Sequence, residues 1–544
     1  MSMNCATTGG GKPRTLPMKT IPYPCFLLAI GLGLGLALAG PARAQLPAPA
    51  SVALTVPAAL ASAPFNTPRT LQVPAGFAIA VYGRVPGARF MAITPDGGVL
   101  VSQPGAGKVS LVRPGSAGGL PVVTDFVAGL RNPHDMVFHT IGSTTYLYLS
   151  ESNQINRYVW HAGDLTGQNR EVIITGLPDA STPELMGSYA HALKNLALDA
   201  NHKLYVSIAS TCNACLSDTQ SDPVRGAIYQ YDADGTGRRL FARGLRNAEG
   251  LAFVPGTNTL WVAVNNRDNT PYPFDDGSGK YGQVIPEYVD NHPPDEFTQV
   301  NDGANYGWPF FNPNPDTSTG PDNMPFDRDY DWNRDGHVAV ATMTRISKGI
   351  PAHSAALGLT FLQGTKFPAA YSNGAVIALH GSWNRTTPAG YKVVYFPWNA
   401  ATQTPGAQAD LVAGFTDLSL GSAWGRPVDT AVDPQGRLFI SDDQSGTIYQ
   451  LTAPAAPLAT SPAKAAASAQ LYPNPGGSGP ATLDLTALPP GAYAITVFDL
   501  LGRVVRTSQQ AGGTRAELGG VGGGSYLVRV QGAGVSQVLR LTRE

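Results

Sequence analysis

Six times along this chain a short apolar strand is followed by a polar turn and a second strand, and that periodicity restricts the fold more than any other feature. The series begins with Met91-Ala-Ile-Thr-Pro-Asp-Gly-Gly-Val-Leu-Val-Ser and continues with Met136-Val-Phe before Tyr146-Leu-Tyr-Leu-Ser. Leu196-Ala-Leu-Asp-Ala-Asn-His-Lys-Leu-Tyr-Val-Ser, Leu251-Ala-Phe before Leu260-Trp-Val-Ala, and Leu359-Thr-Phe before Val376-Ile-Ala-Leu follow. Thr430-Ala-Val-Asp-Pro-Gln-Gly-Arg-Leu-Phe-Ile-Ser closes the set. Third strands such as Gly226-Ala-Ile-Tyr-Gln-Tyr and Gly446-Thr-Ile-Tyr-Gln-Leu complete what one propeller blade needs. Leu359 follows Leu251 by about 108 residues, too far for one blade, so an insertion is expected there. The fold class expected is all-β, a six-bladed β-propeller over residues 71–452; a sandwich is the alternative, and the regular spacing argues against it.

Composition supports many turns and short strands. The 544 residues include 62 Gly and 46 Pro, and only 14% are charged, with a net charge of −1. With no basic stripe to neutralise phosphates, nucleic acid is not an expected partner. Lys19, the apolar run Phe26 to Ala39 and the small-residue site Ala42-Arg43-Ala44 have the layout of a secretory signal over residues 1–44, with Met18 an alternative start. That apolar run is shorter than the ~20 residues of a membrane-spanning helix, so no transmembrane span is expected. Residues 45–70 are expected as an N-terminal extension. After removal of the signal only Cys212 and Cys215 remain, and in an oxidising compartment this Cys-Asn-Ala-Cys pair is expected to form a local disulfide. Leu216 stands where a haem attachment motif requires His.

Residues 453–470 are rich in Ala, Pro and Ser and form a linker. Residues 471–544 then hold Tyr472-Pro-Asn-Pro, Ala492-Tyr-Ala-Ile-Thr-Val-Phe-Asp-Leu-Leu-Gly-Arg-Val-Val and Gly524-Ser-Tyr-Leu-Val-Arg-Val, alternating strands that suit a small β-sandwich. In content and order these motifs resemble the C-terminal sorting domain of type IX secretion substrates. The resemblance implies the type IX machinery as a partner, passage across both membranes, and an extracellular or surface-attached destination. An accessory carbohydrate-binding or Ig-like module is the competing interpretation.

The residues suited to chemistry lie in loops that lead into blades, where propellers collect functional side chains. They include His191 ahead of Leu196, and Arg246 and Asn247 in Gly244-Leu-Arg-Asn-Ala-Glu-Gly-Leu-Ala-Phe. Asp295 lies in Pro-Pro-Asp-Glu-Phe-Thr, and His134 in Asn-Pro-His-Asp. His380-Gly-Ser-Trp-Asn-Arg385 and Lys392 follow, with Arg426 in Gly425-Arg-Pro-Val-Asp. Taken together these motifs resemble the soluble pyrroloquinoline-quinone-dependent glucose and sorbosone dehydrogenases, most closely the L-sorbosone branch. The resemblance implies oxidation of a sugar or sugar aldehyde by hydride transfer to pyrroloquinoline quinone, with a separate electron acceptor.

In that family's terms His191 is the base, and Arg246 meets the oxygen that gains charge. Asn247, Trp383, Arg385, Lys392, Arg426 and His134 line the cofactor bed, and calcium is held by the carbonyls of Asn266 and Arg267 with Asp295. The chain departs from the glucose branch at Ser210, where that branch has an Asp orienting the histidine, at Asn384 in place of Lys, and at Val428 in place of a second Arg. The departures at Ser210 and Asn384 keep open a propeller that binds glycans or a surface partner without turnover; a third reading, a calcium-dependent lactonase on the same architecture, would use metal and acids without a quinone. Asp331-Trp-Asn-Arg-Asp-Gly336 matches half of an EF-hand loop but has Thr342 at the bidentate position, which suits an acidic turn. No nucleophile elbow, phosphate loop or nicotinamide fingerprint follows a strand.

Overall fold

A computed structural model describes residues 46–362, 367–417, 422–454, 468–477, 479–533 and 535–544. The expected signal segment, including Met18, lies outside the described residues, as does most of the expected linker.

The six repeats are six antiparallel sheets. Blade 1 comprises Met91–Ile93, Val99–Gln103, Lys108–Arg113 and Val122–Ala128, and blade 2 comprises Met136–Ile141, Thr144–Ser150, Ile155–Trp160 and Gln168–Ile174. Blade 3 is Leu196–Leu198, Lys203–Ile208, Ala227–Asp232 and Arg239–Arg243. Blade 4 begins with Ala248–Phe253, Leu260–Val264 and Asp295–Val300, then gains Ile346–Ile350 and Asp322–Met324 from the insertion. Blade 5 is built on Ala356–Phe361, Gly374–Leu379 and Lys392–Asn399. In blade 6, Pro427–Val432, Arg437–Asp442 and Thr447–Thr452 are joined by Ala78–Arg84, a strand from the other end of the propeller sequence. The first strand of each blade touches that of the next, and the sixth touches the first, so the ring is closed. Pairing an early strand with the last blade leaves no exposed seam there.

The turn between first and second strands shows why the sequence repeats. Gly97 N–H donates to Thr94 O at 2.9 Å, His202 N–H to Asp199 O at 3.1 Å, and Gly436 N–H to Asp433 O at 2.9 Å. The fourth residue of each turn has a left-handed φ, +89°, +59° and +79°, which explains Gly at two of the three positions.

Burial separates the propeller from the tail. Val99–Gln103, Leu260–Val264 and Gly374–Leu379 are buried at every position, because blades cover both faces of these strands. Trp261 shows how blades 4 and 5 interlock: it is wholly buried, 4.8 Å from the Phe297 ring and 5.1 Å from that of Trp398. Ala492–Asp499 instead alternates between exposed and buried over its first half. It belongs to a four-stranded sheet that shares one apolar core with the three strands Gln470–Tyr472, Ala481–Asp484 and Arg515–Leu518. That is the expected small β-sandwich.

Ahead of the ring, Pro49–Ala53 pairs with Thr70–Pro74, and Leu71 and Val73 sink into the core of blades 5 and 6. The EF-hand-like stretch is not a loop of cation ligands. Asp329 caps the short helix Tyr330–Asn333, and Asp331 pairs with Arg267 at 3.0 Å. No helix among the described residues is long and apolar enough to cross a membrane.

Candidate functional site

Each innermost strand begins beside a cation or an imidazole. Arg89 precedes blade 1, His134 blade 2, His191 and Lys194 blade 3, Arg246 blade 4, His353 blade 5 and Arg426 blade 6. Hydrogen bonds between these segments bring the leading ends together on one face. The His134–Glu249 contact, 3.1 Å, crosses the ring from blade 2 to blade 4. Beside it Phe90, Leu357 and Val428 form a buried apolar cluster contributed by blades 1, 5 and 6, and the Phe90 ring lies 4.3 Å from that of His134. This layer lies among the leading ends of the innermost strands, on the propeller axis. A cavity of about 350 Å³ continues along it, lined by residues of all six innermost strands from Met91 to Thr430 and including neither His191 nor Arg246.

His191 Nδ1 lies 2.9 Å from the Ser210 carbonyl and 3.0 Å from Ser210 Oγ. A carbonyl only accepts, so Nδ1 carries the proton and Nε2 keeps its lone pair. Ser210 Oγ directs its own proton to Cys212 O at 2.9 Å, which leaves the hydroxyl oxygen free to share the Nδ1 proton. Burial first, and the Arg246 charge second, push the His191 pKa down to about 4, against the opposing charges of Glu249 and Asp268. The imidazole is therefore neutral at pH 7.

Arg246 is 5% exposed. Its Nε donates to Asn213 O at 3.1 Å, one terminal nitrogen to Asn265 O at 3.2 Å, and the other to Asn213 Oδ1 at 3.1 Å. Asp268 stands off at 3.9 Å. Burial lowers this guanidinium to about 10, with Asp268 and Asp295 opposing. A buried cation whose hydrogen bonds go to neutral oxygens, with two of its five N–H groups unspent, is suited to an incoming anion.

The other expected site residues divide into two groups. Asn247 joins the centre: its amide donates to Glu249 Oε1 at 3.1 Å, and its carbonyl accepts from Asn265 N at 3.0 Å. His134, wholly buried, is pushed below the ordinary imidazole range by burial, against Glu249. For Glu249 burial acts upward but is outweighed by the bond and charge at His134, by Arg89 and by the Asn247 amide, so it remains a carboxylate. Asn266, Arg267 and Asp295 adjoin one another. Asp295 Oδ1 accepts from Asn266 N at 2.8 Å and Oδ2 from Ala356 N at 3.2 Å, so this carboxylate staples blade 4 to blade 5. Burial raises it to about 6. Asp135 and Asp429 do the same work elsewhere, accepting from Leu196 N and Met91 N, each at 2.8 Å. The Arg267 guanidinium is committed to Asp329 and Asp331.

The second group lies in blades 5 and 6. Arg426 donates to the His380 and Gly381 carbonyls, both at 3.0 Å, and Arg385 to the carbonyls of Thr387 and Ala352. Neither takes part in an ion pair among the described residues. Trp383 is 72% exposed, with one face open to solvent or ligand. Lys392 pairs with Asp410 at 2.8 Å in the wall of a separate cavity of about 340 Å³ that also includes Ser354 and Tyr391.

Sequence reasoning passed over Asn213, Asp268, His353 and Arg89. His353 Nδ1 lies 3.3 Å from Asp268, and its Nε2 donates to Val289 O at 2.8 Å. Arg89 and His380 both reach Asp443, at 2.9 and 2.8 Å. Asn213 was the most accessible of these from sequence, since it sits between the two cysteines of a loop that directly follows a blade strand.

The TrAA12-like family model matches residues 71–454, and the chain belongs to that family. The fold is similar to the holo pyranose dehydrogenase PQQ domain of Coprinopsis cinerea, with a TM-score of 0.57 and 20% identity over 70% of this chain and 97% of that one. It is also similar to the calcium structure of the Trichoderma reesei carbohydrate-active enzyme of family AA12, with a TM-score of 0.58 and 20% identity over 75% and 98%. An uncharacterized protein of Borreliella burgdorferi is 28% identical over 267 residues, 48% of this chain and 61% of that protein, so the match spans less than two thirds of that relative.

Proposed function

We propose that this protein oxidises a sugar or sugar aldehyde with pyrroloquinoline quinone as the electron-accepting cofactor. The observation that carries this reading is His191, a neutral imidazole with Nδ1 fixed by Ser210 and Nε2 free, set beside the incompletely neutralised Arg246. Family membership and the pyranose dehydrogenase likeness support it. The residues present fit a tricarboxylate: Arg246, Arg385 and Arg426 direct their hydrogen bonds to carbonyl and amide oxygens, which leaves their charge available to carboxylates. Trp383 offers a ring face for a flat cofactor.

When bound, such a cofactor supplies a two-electron acceptor for hydride. The chain supplies the rest. His191 Nε2 takes the proton of the substrate hydroxyl, and the Ser210 carbonyl stabilises the imidazolium that results. Arg246 donates to the oxygen that becomes anionic, in a site where buried donors act with little solvent screening. A calcium ion fits less well. Among the described residues no three His, Cys, Asp or Glu side chains gather around one point, and Asp295 has both oxygens on backbone amides. A cation here would depend on the Asn266 and Arg267 carbonyls and on cofactor oxygens, and no step above uses it.

We further propose the sorbosone branch, export, and a type IX sorting role for residues 471–544, on the motifs His380 to Arg385 and Tyr472-Pro-Asn-Pro. The test is to mix the purified protein with pyrroloquinoline quinone, with and without calcium, and follow dye reduction with aldoses and osones. Saturable binding with turnover is expected. Absence of a spectral change and of turnover overturns the reading, and lactone hydrolysis with calcium alone would replace it with the lactonase.

A further inference from the structure

The four-residue loop Cys212-Asn-Ala-Cys215 is closed by a disulfide, and Asn213 and the Cys212 carbonyl face the site. Asn213 O accepts from Arg246 Nε at 3.1 Å and from Trp308 Nε1 at 3.2 Å. Asn213 Oδ1 accepts from Arg246 at 3.1 Å and from Asp268 N at 2.8 Å, while its amide donates to Asp268 O at 2.7 Å. Cys212 O accepts from Ser210 Oγ, the hydroxyl that faces His191, and Ala214 O accepts from Trp332 Nε1 at 2.7 Å. Ser210 N in turn donates to Arg246 O at 2.8 Å. One short loop thus touches the imidazole through Ser210, the guanidinium through Asn213, and the acid that faces both.

We infer that Asn213 is the positioning residue of this site, and that the Cys212–Cys215 disulfide serves to fix Asn213 rather than to stabilise the fold. The physical reason is the loop's size. A cross-link over so few residues removes little entropy from an unfolded chain of this length. It does restrict the backbone of the two residues it encloses, and Asn213 uses both its carbonyl and its side chain. Without that closure, the orientation of five hydrogen bonds rests on the bonds themselves. A guanidinium displaced by about 1 Å costs about a hundredfold in rate, because reacting groups must be held close to their productive geometry. The inference rests on the roles proposed above for His191 and Arg246.

The experiment compares Asn213→Ala, Asn213→Asp and the double variant Cys212→Ser/Cys215→Ser with the full-length protein. The readouts are turnover, thermal midpoint and the His191 titration followed by NMR. Turnover of Asn213→Ala and of the double variant is expected to fall about a hundredfold, with the midpoint moving by no more than about 2 °C. Asn213→Asp keeps an acceptor for Arg246 but sets a carboxylate on its charge and gives up the amide donated to Asp268 O, so turnover is expected to stay more than about tenfold below the parent. As Arg246 withdraws and water enters, the His191 titration moves up from about 4, with Glu249 and Asp268 still facing the ring. Unchanged turnover in both disabled variants overturns the inference, as does a loss that follows the melting temperature while His191 titrates as before. If the parent shows no dehydrogenase turnover, the function fails separately, and the His191 titration alone decides whether the loop positions the site.

Discussion

Two imidazoles lie on the same face of the ring, and they are treated in opposite ways. His191 meets a neutral carbonyl through Nδ1 and faces Arg246, whose nearest acid, Asp268, stands 3.9 Å away. His380 lies 2.8 Å from Asp443, which also holds Arg89 at 2.9 Å, so its charge relations are closed within the protein. Burial lowers both histidines; at His380 the Asp443 bond and charge oppose it most, with Arg89 and Arg426 adding to it, whereas at His191 the Arg246 charge is the largest influence after burial and the Ser210 bond, Glu249 and Asp268 oppose it. A satisfied ion network holds structure, and a group left incomplete is ready for a ligand. Under the proposed function, proton transfer belongs with His191 and Arg246 between blades 3 and 4, and the His380 network in blades 5 and 6 serves as support.

The sharpest way to break the comparison is to remove each ring. His191→Ala is expected to lower turnover about a thousandfold or more with little change in melting. His380→Ala is expected to cost stability, about 1–3 kcal/mol from the Asp443 and Arg89 groups left behind, while turnover stays within about tenfold. Equal losses of turnover would erase the distinction. Kinetics and thermal unfolding of the same two preparations check it.

A smaller effect appears in the pH dependence of stability. The folded pKa of His191, about 4, lies below the unfolded value near 6.5, so the unfolded chain takes up this proton first as pH falls. The contribution is fully present above 6.5 and is lost as pH falls through 4. Denaturant unfolding of wild type against His191→Gln should show the wild-type advantage shrinking by about 3 kcal/mol between pH 7 and pH 4. A constant difference would mean the ring is not held neutral.

The smallest effect expected is at Lys392. Its ion pair with Asp410 lies in a separate, solvent-facing groove. Lys392→Ala should change cofactor affinity, measured by spectral titration, less than about twofold, in keeping with the small worth of exposed pairs. A large loss would move the cofactor bed toward that groove.

How much of this was legible in the sequence depends on the range of the interactions. The six-bladed ring and the small sandwich were visible because alternation and turn chemistry are local: Thr94 to Gly97 and Asp433 to Gly436 declare their turns without reference to the rest of the chain. That His191, Arg246 and Asn247 would share one face was legible because each stands in a segment leading into an innermost strand; their roles rest on the resemblance and remain the proposal made above. Partnerships were hidden. Nothing in the sequence says that Ser210, which lacks the carboxylate of the glucose branch, orients His191 with its backbone carbonyl. Nor does it say that both oxygens of Asp295 are spent between two blades, or that Lys392 finds Asp410, since these depend on distances between segments far apart in the chain.

The buried apolar cluster of Phe90, Leu357 and Val428, beside the His134–Glu249 bridge, bears on how the proposed reaction would be fed. The cavity of about 350 Å³ lined by the innermost strands includes neither His191 nor Arg246, so under the proposed function reactant and product would come and go on the side where those two residues stand.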